Sequence, residues 1–369
     1  MSRATLVRVV FVTAPFKARM IEKMIEHFSP RLESTVIVPA FPYTERSRSV
    51  PIKQRFVRQI TGDVLFNKAI LDLAPDLIYS DSTLHGASVK LFSIAKRRSI
   101  PFIIHLRGDW WREYYSWFGS ASCRRRLLSS QQYFYNWFSL LTASKVTPIC
   151  RWLQRVVETH LPTKPTEVVY QGVDPSEFMG SSEDLGFRKP AVAIIQNHSI
   201  YPKVEGLLGF CDVIRHLPDV NFYIAEGEES GQTYLPLVKE KLASSNTHFV
   251  KGITTPDAVR KMLTSADVYI LASGLDCCPT TVLEASLMRR PVLASRVGGV
   301  PETVVENRTG WTIPNGSMIQ WVKRMTSLFE DEGLRDRFGM AGRKWVSENF
   351  AWPVIAKHVE ELILNEVES

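Results

Sequence analysis

Residues 271–310 read LASGLDCCPTTVLEASLMRRPVLASRVGGVPETVVENRTG, and this stretch decides the fold. The hydrophobic run before it, DVYILA (267–272), has the length and make-up of a buried strand and stops at Ser273-Gly274. A short helix follows, with Pro279 suited to its first position and Pro291 ending it. VLAS (292–295) is the next strand, and a Gly-rich turn comes after it. Strand, loop, helix, strand is the repeating unit of a parallel α/β sheet. In such sheets ligands bind outside the carboxyl ends of the strands, often against helix N-termini. Two acids stand there with seven residues between them, Asp276 in the loop and Glu284 in the second turn of the helix.

The same alternation runs outward from this stretch. Upstream strands are expected at 191–196 (AVAIIQ), 220–225 (VNFYIA) and 247–250 (THFV), with helices at Val204–Leu217, Tyr234–Ala243, Pro256–Ser265 and Pro279–Arg290. The first half offers strands at Leu6–Thr13, Thr35–Pro39, Asp76–Ser80, Pro101–Leu106, Lys145–Ile149 and Glu167–Tyr170. Helices lie between them, at Phe16–Phe28, His85–Arg98 and Cys150–His160. The tail, Trp345–Val367, is patterned as one or two amphipathic helices, and the polar MGSSEDLGFRK (179–189) reads as a linker. At 369 residues the chain suits two domains. The fold expected is α/β: two Rossmann-like, doubly wound parallel-sheet domains, 1–180 and 181–349, facing across a cleft.

Composition narrows the class. Hydrophobic content of 45% and charge of 22% are those of a soluble globular protein, and no apolar run approaches the roughly 18 residues of a membrane helix. The N-terminal apolar run is short and β-branched, a first strand rather than a signal peptide. Five cysteines, an odd number without metal-ligand spacing, fit a reducing cytosol. The net charge of +7 is uneven. Residues 1–180 hold 25 Lys+Arg against 14 Asp+Glu, and the remainder 20 against 24. A basic first half suggests an acidic partner, with a solvated basic face as the plain alternative.

The ordered set from Asp276 to Glu302 resembles the donor-site segment of the family 4 retaining glycosyltransferases, which have the GT-B fold. Their pattern is an acid, seven residues, Glu, Ala, then a Pro-Val strand and Val-Gly-Gly-x-Pro-Glu. It stands here as Asp276, Glu284, Ala285, Pro291-Val292 and Val297-Gly298-Gly299-Val300-Pro301-Glu302. The resemblance is densest over 190–310, thinner over 145–178 and thinnest before residue 100. It implies a cytosolic enzyme that moves a sugar, with retention, from a nucleotide-diphosphate sugar to a hydroxyl of a glycan or lipid-linked acceptor. It implies no cofactor and no metal, because protein cations and helix ends hold the diphosphate. The first domain would take the acceptor and the second the donor, with the last helix, about 350–369, crossing back onto the first.

The resemblance assigns roles residue by residue. Glu284 matches the Glu that accepts hydrogen bonds from the ribose, a task suited to a carboxylate's two oxygens; a capping acid is the alternative. Asp276 matches the first acid, usually Glu, which faces the donor sugar; an N-cap for the helix is the rival reading. The backbone of Cys278-Pro279-Thr280-Thr281 aligns with the loop that approaches sugar and diphosphate, although Pro279 has no N–H to offer. Lys203 matches the family's phosphate-binding Lys. The companion Arg falls on His198 or Asn197, and His198 can donate a hydrogen bond or carry partial charge near neutral pH. Gly252 lies in the segment 250–254, where base recognition uses backbone. In the first domain the family's His falls on Arg107, with His105 two residues earlier on the same face. Arg107 suits a donor phosphate or an acidic acceptor, and Asp109 an orienting role or the acceptor hydroxyl, beside Trp110 and Trp111. A buried Arg107–Asp109 salt link is the structural alternative. The family's Gly-rich loop after the first strand is replaced by Thr13-Ala14-Pro15-Phe16-Lys17, where Lys17 can put a charge in place of backbone dipoles. Gln171-Gly172-Val173-Asp174 matches the tetrapeptide that ends the first domain, with a structural role expected.

Two basic stretches remain. Thr44–Arg58 holds five cations against Glu45, and Trp110–Phe138 interleaves aromatics with Arg124-Arg125-Arg126. Such a pattern packs as core or lies on an anionic membrane surface. No nucleic-acid fold motif accompanies it. The rival functions are a nucleotide-sugar epimerase on the same fold and a catalytically degenerate nucleotide-sugar-binding protein. No Gly-x-Gly-x-x-Gly follows either first strand, which speaks against a dinucleotide oxidoreductase.

Overall fold

The computed structural model describes residues 6–14, 17–40, 57–61, 63–82, 86–112, 123–178, 180, 182–227 and 233–369. The chain divides into two compact units, Met1–Gly172 with Trp352–Ser369, and the continuous Val173–Ala351.

Unit 1 is built on β1 (Val7–Val12), β2 (Leu32–Ala40), β3 (Val57–Thr61), β4 (Leu77–Asp81), β5 (Phe102–Leu106) and β6 (Lys145–Pro148). All pairings are parallel, in the order β3-β2-β1-β4-β5-β6. Runs such as FIIHL in β5 are buried along their whole length, as strands covered on both faces must be. The helices are α1 (Ala18–Ile25), α2 (Asp63–Asp72), α3 (Gly86–Arg98), α4 (Cys123–Thr142) and α5 (Arg151–His160). The segment 167–170, expected as a strand, is none. It runs beside β6, where the Glu167 and Val169 N–H groups donate to the carbonyls of Val146 and Pro148. Pro148 has no N–H to return a bond, so the ladder stops there.

Unit 2 has β7 (Ala191–Ile194), β8 (Asn221–Ala225), β9 (Thr247–Val250), β10 (Val268–Leu271), β11 (Val292–Ser295) and β12 (Gly310–Ile313), again all parallel, in the order β12-β11-β10-β7-β8-β9. Its helices are α6 (Tyr201–Leu208), α7 (Cys211–His216), α8 (Leu235–Lys241), α9 (Pro256–Ser265), α10 (Thr280–Leu287), α11 (Met318–Glu330) and α12 (Glu332–Asn349). The single helix expected over 204–217 is two. It breaks at Gly209-Phe210, where glycine weakens the helix and Phe210 turns inward against Trp321, ring to ring at 5.0 Å.

The last helix, α13 (Trp352–Glu368), belongs to unit 1. Its Trp352, Ile355, Val359 and Ile363 join Val9, Phe11, Ile21 and Tyr79 in one buried cluster. In each sheet the strand order reverses once, between β1 and β4 and between β7 and β10. The crevice outside the carboxyl ends of such a strand pair is where an open α/β sheet takes its ligand.

Candidate functional site

In unit 2 the reversal point gathers Lys203, Asp276 and the start of α10. Close backbone approach is what brings α6 to the loop after β10. A Cβ on Gly206 would sit 2.6 Å from the Ser273 carbonyl carbon, and one on Gly274 would sit 2.5 Å from the Pro202 oxygen. With the two backbones that close, Lys203 Nζ reaches Asp276 Oδ2 at 3.1 Å. Asp276 Oδ1 accepts the Cys277 N–H. The turn that follows β11 closes the loop from the other side. Gly298 has φ +52° and lies so near that an added Cβ would be 2.0 Å from the Asp276 oxygen, while the Gly299 N–H donates to that same oxygen at 3.0 Å.

Two local expectations change here. Asp276 is not the helix cap, because its carboxylate is taken by Lys203 and the Cys277 N–H. Pro279 is not the first helical residue but the N-cap, in extended conformation and without a side-chain cap bond. Cys278 and Pro279 are buried, and Thr280 is partly exposed at the first turn. Thr281 Oγ1 shares a hydrogen bond with the buried Tyr269 hydroxyl at 2.7 Å, which ties α10 to β10.

Glu284 lies half-buried in the second turn of α10. Burial, with the Glu177 carboxylate adding to it, pushes its acid up to about 7. A carboxylate so destabilised is one whose charged form gains from an incoming donor. His198 is buried after β7, and its Nε2 bonds the Ala225 carbonyl at 2.8 Å. Burial pushes its pKa below the ordinary histidine value, which disfavours the partial charge that its sequence position allowed and leaves hydrogen bonding as its role. Its Nδ1 is buried without a partner among the described residues. Asn197 turns its side chain back on Ser199, accepting from that residue's N–H at 2.7 Å. Gly252 has φ +76° in the loop after β9.

Unit 1 has a counterpart that the sequence did not disclose. Asp81 ends β4 with a side chain only 1% exposed. It accepts from Thr13 Oγ1 at 3.0 Å and from Arg107 Nε at 2.5 Å, and Lys17 Nζ stands 4.0 Å away. Arg107 also donates through Nη1 to Gln171 Oε1, and Lys17 donates to Ser82 Oγ at 2.8 Å. Desolvation opposes the charge on Asp81, but Arg107 and then Lys17 outweigh it and bring its pKa down to about 2. The Arg107–Asp109 salt link envisaged from sequence is therefore replaced by Arg107–Asp81. Asp109 instead accepts the Arg112 N–H at 3.1 Å. His105 is buried on β5, with Nδ1 3.2 Å from Thr147 Oγ1. Burial, with Arg107 adding to it, brings its pKa down to about 3, leaving a neutral ring. It lines a water-sized cavity with Tyr79, Arg107 and Gln171. Trp110 and Trp111 stack at 4.5 Å, and Trp111 stacks in turn on His160.

The basic aromatic stretches are only partly described. Residues 41–56 and 113–122 lie outside the described residues, which removes most of the Thr44–Arg58 cluster and Tyr114 to Phe118. On α4, Phe138 packs edge-on against Phe92 at 5.4 Å, whereas Phe134 is 61% exposed. The stretch is therefore core on one side and open on the other. Among the described residues no helix is long and apolar enough to cross a membrane.

Known proteins resemble this chain in sequence and in fold. Residues 185–345 match the sequence profile of the family described as Glycosyl transferases group 1. The alpha-maltose-1-phosphate synthase of Mycolicibacterium smegmatis is 25% identical over 199 residues, 51% of this chain and 51% of the relative. The GDP-mannose-dependent alpha-(1-6)-phosphatidylinositol monomannoside mannosyltransferase of the same organism is 24% identical over 238 residues, 60% of this chain and 62% of the relative. The chain thus spans about half to three fifths of the length of these relatives. Among solved structures, Anabaena HepE in complex with UDP-glucose superposes with a TM-score of 0.72 at 15% identity, over 97% of this chain and 99% of that one. The fold is GT-B, two Rossmann-like parallel-sheet domains.

Proposed function

We propose, from the premise that residues 185–345 belong to the glycosyl transferases group 1, that this chain transfers a sugar from a nucleotide-diphosphate sugar to a hydroxyl of a glycan or lipid-linked acceptor. The observation that carries the reading is the pairing of Lys203 with Asp276 at the carboxyl ends of β7 and β10, beside the start of α10, the helix that bears Glu284. Lys203 and the first turn of α10, with Cys278, Thr280 and Thr281, hold the diphosphate. Glu284 accepts the ribose hydroxyls and Asp276 lies toward the sugar. Asn197, Gly252 and His198 shape the rest of the donor pocket. Unit 1 serves the acceptor.

Transfer proceeds with retention. The leaving phosphate oxygen takes the acceptor proton on the face from which the diphosphate departs, and no side-chain nucleophile is required. Protein cations and helix ends, rather than a metal, offset the charge on the leaving diphosphate. The enzyme works in the cytoplasm, on the inner surface of a membrane that α4 meets through Phe134. The bound UDP-glucose of Anabaena HepE supports a uridine donor as the first to try.

The test is a thermal-shift series of nucleotide sugars and nucleoside diphosphates on the wild type and Glu284→Ala. Ligand at 100 times its dissociation constant stabilises by roughly 2.7 kcal/mol, so a shift with one base that vanishes in the variant supports the reading and names the base. A shift retained by Glu284→Ala moves the ribose elsewhere. Binding without sugar transfer to any acceptor favours a degenerate binding protein, and donor conversion without acceptor an epimerase.

A further inference from the structure

We propose that the reversal point of unit 1 is a recognition site for an oxyanion, and that the acceptor served there carries a phosphate or carboxylate group. Lys17, Asp81 and Arg107 together sum to +1, since Asp81 is ionised, and the His105 ring beside them is neutral. The two cations are 20% and 14% exposed, so this charge is held largely out of water, where an anion is attracted far more strongly than at an open surface. The place is right as well. Thr13 follows β1 and Asp81 ends β4, the two strands between which the order of the sheet reverses, and Arg107 follows β5 next in line.

The cations are also pre-set. Arg107 is fixed through Nε by Asp81 and through Nη1 by Gln171, and Lys17 by Ser82. Aligned donors bind an oxyanion without first losing side-chain freedom. Asp81 is therefore a positioning residue for both. The corresponding pair of unit 2, Lys203 and Asp276, sums to zero. The word acceptor rests on the transferase reading above; the anion site itself rests on unit 1 alone.

The experiment titrates the full chain, at fixed ionic strength, with inorganic phosphate, glucuronate and glucose, and separately with UDP. Wild type, Lys17→Gln, Arg107→Lys and Lys203→Gln are compared, with a melt of each variant alongside. Lys17→Gln keeps the Asp81–Arg107 pair, so it tests the site without unpairing the buried carboxylate. Phosphate or glucuronate should bind and glucose should not. Whichever anion binds more tightly names the group. Binding should weaken about tenfold in Lys17→Gln and Arg107→Lys. It should persist in Lys203→Gln, while UDP binding does the reverse. Anion binding no tighter than that of glucose overturns the proposal. So does a loss of UDP affinity in Lys17→Gln as large as the loss of phosphate affinity, since the cations then serve the donor. Absence of UDP binding with Lys17-dependent phosphate binding intact sinks the transferase reading and leaves the anion site standing.

Discussion

The two reversal points of this chain are built from one plan with different endings. In each, a lysine that follows the first strand meets an aspartate at or just beyond the end of the fourth: Lys17 with Asp81, and Lys203 with Asp276. In unit 1 a third residue, Arg107 after β5, takes the aspartate at 2.5 Å and leaves the lysine at 4.0 Å. The comparable position after β11 also holds an arginine, Arg296, but that side chain bonds the Thr312 hydroxyl and carbonyl instead. Asp276 therefore belongs to Lys203. A shared topology places the pair, and the direction taken by one arginine decides whether the site ends up charged or balanced.

The sharpest way to break this comparison is to neutralise each aspartate in turn. Asp81→Asn takes the buried carboxylate away from two largely buried cations and should cost about 3–5 kcal/mol. Asp276→Asn, at a pair 27% and 15% exposed with one cation rather than two facing the carboxylate, should cost less, about 1–3 kcal/mol. Denaturant unfolding of both variants measures the difference, and equal costs would remove the distinction drawn between the two sites. Next in size is Gly298→Ala. A methyl group against the Asp276 backbone at positive φ should destabilise unit 2 by about 1–3 kcal/mol and weaken UDP binding, with phosphate binding in unit 1 unchanged.

A smaller effect follows from Glu284. Its folded pKa, about 7, is raised above the ordinary carboxylate value, so the folded state holds the proton more tightly and stability falls as pH rises from about 4.5 to 7. Glu284→Gln should therefore gain about 1–2 kcal/mol over wild type at pH 8 compared with pH 5, a figure reduced by the partial exposure of the side chain. Melts at the two pH values read it. His105 works the other way. Its depressed pKa means that stability is lost as pH falls from 6.5 toward 3, and His105→Gln should flatten that limb. The least effect belongs to His198→Gln, which should move the pH profile of activity between about 7 and 8 little, because burial disfavours charge on the ring.

Unit 2 was more legible in the sequence than unit 1. Asp276, Glu284, Lys203 and the double glycine all lie within about a hundred residues of one another, and strand-loop-helix punctuation marks each of them. The pairing of Lys203 with Asp276 was not legible, because it depends on two glycines letting backbones touch. Asp81 was missed altogether. Its partners Thr13 and Arg107 lie 68 and 26 residues away, and Ser80-Asp81-Ser82 looks like any strand end. The available signal was an acid directly after the third expected strand of the first half, Asp76–Ser80, much as Asp276 stands just beyond the strand at 267–272 in the second. Helix α4 and strands β3 and β12 also escaped. Aromatics crowd the helix pattern of α4, and β12 begins with a glycine, a weak strand former. The inward turn of His198 onto the Ala225 carbonyl at the end of β8, and the burial that lowers its pKa against that bond, have no local pattern to announce them.

The placement of α13 has a consequence for how the protein is made. Unit 2 is one unbroken stretch, but the core of unit 1 takes Trp352, Ile355, Val359 and Ile363 from residues synthesised after all of unit 2. On a ribosome the usual order, first domain first, is therefore reversed. Val173–Ala351 can close while one face of the earlier sheet, the side of Val9, Phe11 and Tyr79, has the packing of α1 but still waits for its last helix. That interval is when the nascent chain is most exposed to aggregation and has most use for a chaperone.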